Sequence, residues 1–224
     1  MQLYQFPTPE EQVASLADQI AQALTNTITT NGRATLAVSG GKSPIKLFSE
    51  LSKKELPWDK VTITLVDERF LATDHEDSNE NLVRKYLLIN NAEQAFFTGL
   101  VTTRNIVYST ANANLQIDNI DVAILGMGED GHTASIFPCC DELDTVLDTQ
   151  LSVERYVITN PKTANYQRIG LSLNGILNVK HIFVSINGSK KLDIIQEAAK
   201  GATKQYPISY VLAARNDTQV FWHN

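Results

Sequence analysis

The stretch GMGEDGHTASIFP, Gly126–Pro138, packs three glycines, an acidic pair and a histidine into its first seven positions. It follows an apolar run, Asp121–Leu125, that reads as a buried parallel strand. A strand that ends in glycine and resumes at His132 places polar groups at the carboxyl edge of a sheet. Open α/β folds bind their ligands at that edge. His132 is the side chain there best suited to move a proton near neutral pH. Asp130, two residues earlier, could orient its ring or a water molecule.

Two other predicted strand ends have the same character. One gives Ser39-Gly40-Gly41-Lys42-Ser43-Pro44 and the other Asp67-Glu68-Arg69. The glycines of the first let backbone N–H groups approach an anion where a helix begins, and Lys42 could add charge. In the second, acidic residues could hold sugar hydroxyls, and Arg69 a phosphate or carboxylate by its fork of donors. A tight turn with a solvated lysine, or an internal Arg–carboxylate pair, would explain the same residues without a ligand. Arg168, entering a strand in NYQRIGLSL, and Lys190-Lys191, at a helix start after Gly188-Ser189, are further basic candidates. A lysine in the first turn opposes the helix dipole, which hints at an anion there.

Alternative chemistries meet obstacles. Gly126, Gly128 and Gly131 formally satisfy GxGxxG, but the pattern sits late in the chain. Glu129 and Asp130 would also face a pyrophosphate. The Walker spacing is absent from the SGGKSP turn. Ser39 and Ser135 could be esterase nucleophiles, but no GxSxG elbow is present. His75, His181 and His223 are dispersed, without HExxH or CxxC spacing, so no metal site is expected. Cys139 and Cys140 are neighbours and read as small, partly buried side chains after a loop.

These groups need elements to position them. Thr8-Pro9-Glu10-Glu11 reads as a capped helix start, with Glu11 closing a capping box, and Asn31-Gly32 as its end. Strands follow at Ala34–Val38 and Val61–Val66, with helices near Pro44–Lys53, Leu82–Leu88 and Thr110–Gln116. Further strands are predicted at Tyr156–Thr159, Ile169–Leu173 and His181–Ser185. A helix follows near Lys190–Ala199, then a last strand at the sheet edge, Val220–Trp222. This alternation predicts an α/β fold over residues 1–224 as a single domain: a mostly parallel central sheet flanked by helices, Rossmann-like.

Composition narrows the partners. The chain is 43% hydrophobic and 20% charged, with net charge −6. It has no basic stripe to track a nucleic acid, and no apolar run near the roughly 18 residues of a membrane span. The opening residues MQLYQFPTPEEQ lack a basic region followed by an apolar one, so the cytoplasm is the expected compartment.

Taken in order, SGGKSP, VDERF followed by HEDSN, GMGEDGHTASIFP, QRIGLSLNGIL and FVSINGSKK resemble the 6-phosphogluconolactonases over residues 9 to 222. The resemblance implies a fold similar to the glucosamine-6-phosphate deaminases. It also implies hydrolysis of a small phosphosugar lactone, 6-phosphoglucono-1,5-lactone, without cofactor or metal, by a monomer. The deaminases carry a glutamate five residues after the histidine, where this chain has Phe137, and commonly a tyrosine where it has Arg69. By resemblance, His132 is the general base and Asp130 its helper. Arg168 and Lys191 hold the phosphate beside the Ser39, Gly40, Gly41 and Lys42 turn. Arg69, Asp67 and Gly128 face the substrate.

Overall fold

The computed structural model describes residues 1–224. Its strands are β1 (Gln2–Phe6), β2 (Ala34–Val38), β3 (Val61–Leu65), β4 (Asp67–Arg69), β5 (Phe96–Phe97), β6 (Val122–Leu125), β7 (Tyr156–Thr159), β8 (Arg168–Leu171), β9 (His181–Asn187) and β10 (Gln219–His223). Its helices are α1 (Pro9–Asn31), α2 (Ile45–Leu51), α3 (Asn79–Tyr86), α4 (Ile106–Gln116), α5 (Leu143–Leu147), α6 (Leu173–Leu177), α7 (Ser189–Ala198) and α8 (Ile208–Ala214).

Seven strands form one parallel sheet in the order β1-β10-β9-β6-β2-β3-β5. The α/β expectation holds, and one hydrophobic core runs through the molecule. The central strands β2, β3 and β6 are almost wholly buried because helices cover both faces. From β2 the chain proceeds outward through β3 and β5, whereas β6, β9 and β10 build the other way. The switch point therefore lies between β2 and β6, and the loops after β2, β3, β6 and β9 share one edge there.

α1 starts as the sequence implies. Thr8 Oγ1 accepts from the Glu11 N–H at 3.2 Å, Pro9 occupies the first turn, and Gly32 closes the helix at φ 78°. The Glu11 side chain makes no return bond to Thr8, so only half of the expected capping box forms. Leu16, Ala17, Ile20 and Leu24 lie buried along one stripe. No helix is long and apolar enough to cross a membrane.

Several expectations need correction. β10 is not the edge strand: β1 pairs with it from Gln2↔Gln219 to Phe6↔His223. QLYQF has no fully buried residue, as an outermost strand can, and its two glutamines break up the apolar residues, so it carries little strand signal. Helices α3 and α4 begin three or four residues earlier than their apolar periodicity suggested, at caps supplied by Ser78 and Asn105. The short helices α5, α6 and α8 were not anticipated.

The largest departure is a second sheet. Tyr156–Thr159 and Arg168–Leu171 do not join the parallel sheet but pair antiparallel with Asp67–Arg69, in the order β4-β8-β7. The Tyr156 hydroxyl anchors this small sheet to the end of β3, donating to the Leu65 carbonyl at 2.8 Å from a fully buried position. Asn114 of α4 grips the backbone of Tyr156 from the other side, at 2.8 and 2.9 Å. The small sheet thus stands against the carboxyl edge of the large one and carries Asp67, Arg69 and Arg168.

Candidate functional site

Loops from both sheets enclose a cleft of about 280 Å³ at the switch point. Ser39, Gly40, Gly41, Asp67, Arg69, Gly128, His132 and Lys191 line it, so most of the sequence-predicted residues converge. Asp130 and Arg168 do not line it but neighbour residues that do, Asp130 through its bond to His132 and Arg168 as the cross-strand partner of Arg69. Lys42 is the exception. It faces an adjoining groove with Lys46 and His223, because the left-handed bend at Gly41 (φ 86°) precedes it.

The Ser39 hydroxyl is already engaged. It donates to the Ile124 carbonyl at 2.8 Å and accepts from the Gly126 N–H at 3.1 Å, clipping the ends of β2 and β6 together. Among the glycine-turn N–H groups, those of Gly126, Gly128 and Gly131 are spent on internal bonds. Those of Gly40, Gly41 and Met127, three cleft residues, make none.

The turn after β6 builds a histidine–carboxylate pair. Asp130 Oδ1 meets His132 Nδ1 at 2.6 Å and also accepts from the His132 N–H at 3.1 Å. Burial pushes the Asp130 carboxyl up, but the bond and charge of His132 prevail and hold it below its ordinary value. With Nδ1 occupied, Nε2 is the free ring nitrogen. The imidazole stacks on Phe137, with centroids 4.0 Å apart and planes 25° apart. A Cβ at Gly128 would lie 2.2 Å from His132 Nδ1 and 2.6 Å from Asp130 Oδ1. Gly128→Ala is therefore expected to split this pair and lower kcat by about 10²-fold or more, read from steady-state kinetics on a folded variant.

His132 is followed by a tight reversal, Thr133–Ile136, in which Ala134 (φ 50°) and Ser135 (φ 59°) are both left-handed. Non-glycine residues adopt this only when their surroundings impose it. Here Thr133 Oγ1 donates to the Gly126 carbonyl at 2.8 Å, Thr159 Oγ1 donates to the Ser135 carbonyl at 2.9 Å, and Ser135 Oγ donates to Asp67. Gly170 leaves room for the turn, since a Cβ there would meet the Ala134 carbonyl at 2.4 Å.

Three cations stand at or beside the cleft: Arg69 and Arg168 on the small sheet, and Lys191 on α7, next to the glycine turn. Arg69 and Arg168 are direct cross-strand partners on one face of the small sheet. Like charges so placed repel. Arg168 is 6% exposed, its side chain makes no hydrogen bond or ion pair, and its buried Nε is left without a partner. Burial lowers its pKa, with Asp67 opposing and Arg69 adding to the effect. Lys190 is neutralised by Glu129, whereas Lys191 lines the cleft with no carboxylate in ion-pair contact. Burial lowers the Lys191 pKa against the attraction of Glu129. No aspartate or glutamate occupies the first turn of α7.

Asn79 lines the cleft and was not singled out by chemical type or spacing, whereas Ser135, considered as a nucleophile, instead donates to Asp67. Glu68 corrects another expectation: it is turned away from the cleft and buried, so it holds no substrate hydroxyl. No group of three or more His, Cys, Asp or Glu side chains is placed to hold a metal ion.

A model of the family described as glucosamine-6-phosphate isomerases/6-phosphogluconolactonase matches residues 7–222. A 6-phosphogluconolactonase of Neisseria meningitidis is 41% identical over 215 residues, 93% of each chain. One from Helicobacter pylori is 36% identical and covers 99% of this chain and 97% of its own. The crystal structure of a 6-phosphogluconolactonase from Shewanella baltica superposes with a TM-score of 0.92 at 39% identity, covering 100% of this chain and 98% of that one. The cleft of two carboxylates, one histidine and three cations is thus built on a shared scaffold, and the chain belongs to the glucosamine-6-phosphate isomerase/6-phosphogluconolactonase family.

Proposed function

We propose that this protein, acting as one domain, hydrolyses 6-phosphoglucono-1,5-lactone to 6-phosphogluconate, with His132 as general base. The observation that carries this reading is the His132–Asp130 pair at a cleft that is also lined by Arg69 and Lys191, neither of them in ion-pair contact with a carboxylate.

Asp130 accepts the Nδ1 proton and so leaves the Nε2 lone pair free to take a proton from water. The resulting hydroxide adds to C1 of the lactone. As the tetrahedral intermediate collapses, the bond from C1 to the ring oxygen breaks and the imidazolium returns its proton to that oxygen. Neutral His132 is then restored, the new carboxylic acid releases its proton to solvent, and no cofactor enters. The uncommitted N–H groups of Gly40, Gly41 and Met127 are the backbone donors available to the developing oxyanion.

Arg69, Arg168 and Lys191 hold the phosphate in this reading. A dianion beside the two arginines converts a repulsive cross-strand pair into a compensated one. Phe137 favours the lactonase over the deaminase. An apolar ring packed on His132 occupies the position where a deaminase carries its glutamate.

The test is proton release from freshly generated 6-phosphogluconolactone at neutral pH, corrected for spontaneous hydrolysis. Unphosphorylated gluconolactone and glucosamine 6-phosphate are run beside it. Acceleration confined to the phosphorylated lactone is expected. Ammonia release from glucosamine 6-phosphate, with no lactone acceleration, would replace this reading with the deaminase.

A further inference from the structure

Glu68 takes no part in the chemistry proposed above, yet it is 1% exposed and accepts four hydrogen bonds. Its Oε1 accepts from the N–H of Arg69 at 2.7 Å and of Asn79 at 2.9 Å. Its Oε2 accepts from the N–H of Glu80 at 2.8 Å and from Ser78 Oγ at 3.0 Å. Three of these partners are backbone N–H groups, which can only donate, so the pocket is built for a carboxylate. Burial pushes the Glu68 carboxyl up, and these donors pull against it.

The consequence lies in what these donors belong to. Asn79 and Glu80 open α3, and Ser78 caps it, accepting from the Asn81 N–H at 3.2 Å. The helix N-terminus is therefore tied to a side chain of β4. Asn79, fixed in that first turn, donates from Nδ2 to the Asp67 carbonyl at 2.7 Å. Its amide also fills the space beside Gly40, where a Cβ would lie 1.8 Å from Asn79 Oδ1. Arg69 donates to the carbonyl of Asp77, just before the cap. One buried carboxylate thus locks together Asp67, Arg69 and the Gly40 turn. The His132–Asp130 pair stands on a different loop and has no member in this network.

We propose that Glu68 is a positioning residue which, through the N-terminus of α3, sets the substrate-holding wall of the cleft without touching substrate; this rests on the lactonase reading. Glu68→Gln keeps the shape but turns an amide donor toward converging donors. The expected result is a rise in KM for the phosphorylated lactone of about tenfold, with kcat within about threefold of the parent. The pH dependence of kcat should not move, because the His132–Asp130 pair is untouched. Ser78→Ala removes one donor from outside the cleft lining and should raise KM a few-fold in the same manner. It decides the matter alone if Glu68→Gln does not fold. A folded variant with parental KM, or one that loses kcat at constant KM, overturns the assignment. A parent protein that does not accelerate lactone hydrolysis overturns the proposed reaction instead, so the two failures are distinct.

Discussion

His132→Ala is expected to lower kcat on 6-phosphogluconolactone by about 10²–10⁴-fold, the usual worth of general acid–base help. KM should stay within about twofold, because the imidazole acts on the proton of the attacking water and not on the phosphate. The geometry makes the result specific. Asp130 holds Nδ1 at 2.6 Å and Phe137 fixes the ring plane, so Nε2 is the only ring nitrogen free to act. Removing the ring also leaves the Asp130 carboxylate without the partner that keeps its pKa low, but His132 makes no contact with Arg69, Arg168 or Lys191 that would be lost. Circular dichroism and thermal unfolding should be close to the parent. A folded His132→Ala variant with full kcat would transfer the base role elsewhere, and a large rise in KM alone would make His132 a binding residue.

Arg168→Met should act on the other constant. Loss of a charge-assisted contact worth roughly 1.5–3 kcal/mol raises KM by about 10–100-fold, with a smaller effect on kcat. Stability should move in the opposite sense. In the free protein the Arg168 side chain is buried, faces Arg69 across the strand pair and has no hydrogen-bond partner, so its charge opposes folding there. A flexible apolar side chain of similar length fills the space without that cost. The Tm is expected to stay level or rise by about 2–4 °C, the shift that 1 kcal/mol produces in a chain of this size. Adding 6-phosphogluconate should then raise the parent's Tm more than the variant's. A sharp loss of stability with unchanged KM would make Arg168 a structural residue. The pairing of lower affinity with equal or greater stability distinguishes a binding site from a packing site.

The two substitutions divide the cleft along its architecture. His132 follows a strand of the parallel sheet, where a glycine-rich turn can bring a side chain back over the sheet edge. Arg69 and Arg168 come from the antiparallel sheet, which only exists because β4 leaves the line of β3 after Val66. Val66 itself donates to the Val38 carbonyl while its own carbonyl accepts from Leu171, so this one residue stitches both sheets together. His132 and the two arginines therefore belong to two units docked through the Tyr156–Leu65 bond and the Ser135–Asp67 bond.

The sequence alone determined the alternation of strands and helices, because apolar runs such as Val61–Leu65 and the α1 stripe carry their own periodicity. It also determined the histidine–aspartate pair. Asp130 and His132 are two residues apart inside a turn whose glycines leave few conformations, so local geometry brings them together. What joins residues distant in the chain was decided by tertiary structure. β4 is three residues long and polar, too short for a period-2 signal, yet it pairs with β8 about a hundred positions later. The burial of Glu68 and the turning of Lys42 toward the adjoining groove follow from that pairing and from the bend at Gly41. Side-chain type named the candidates; the long-range hydrogen bonds that orient each backbone segment decided which of them face the cleft.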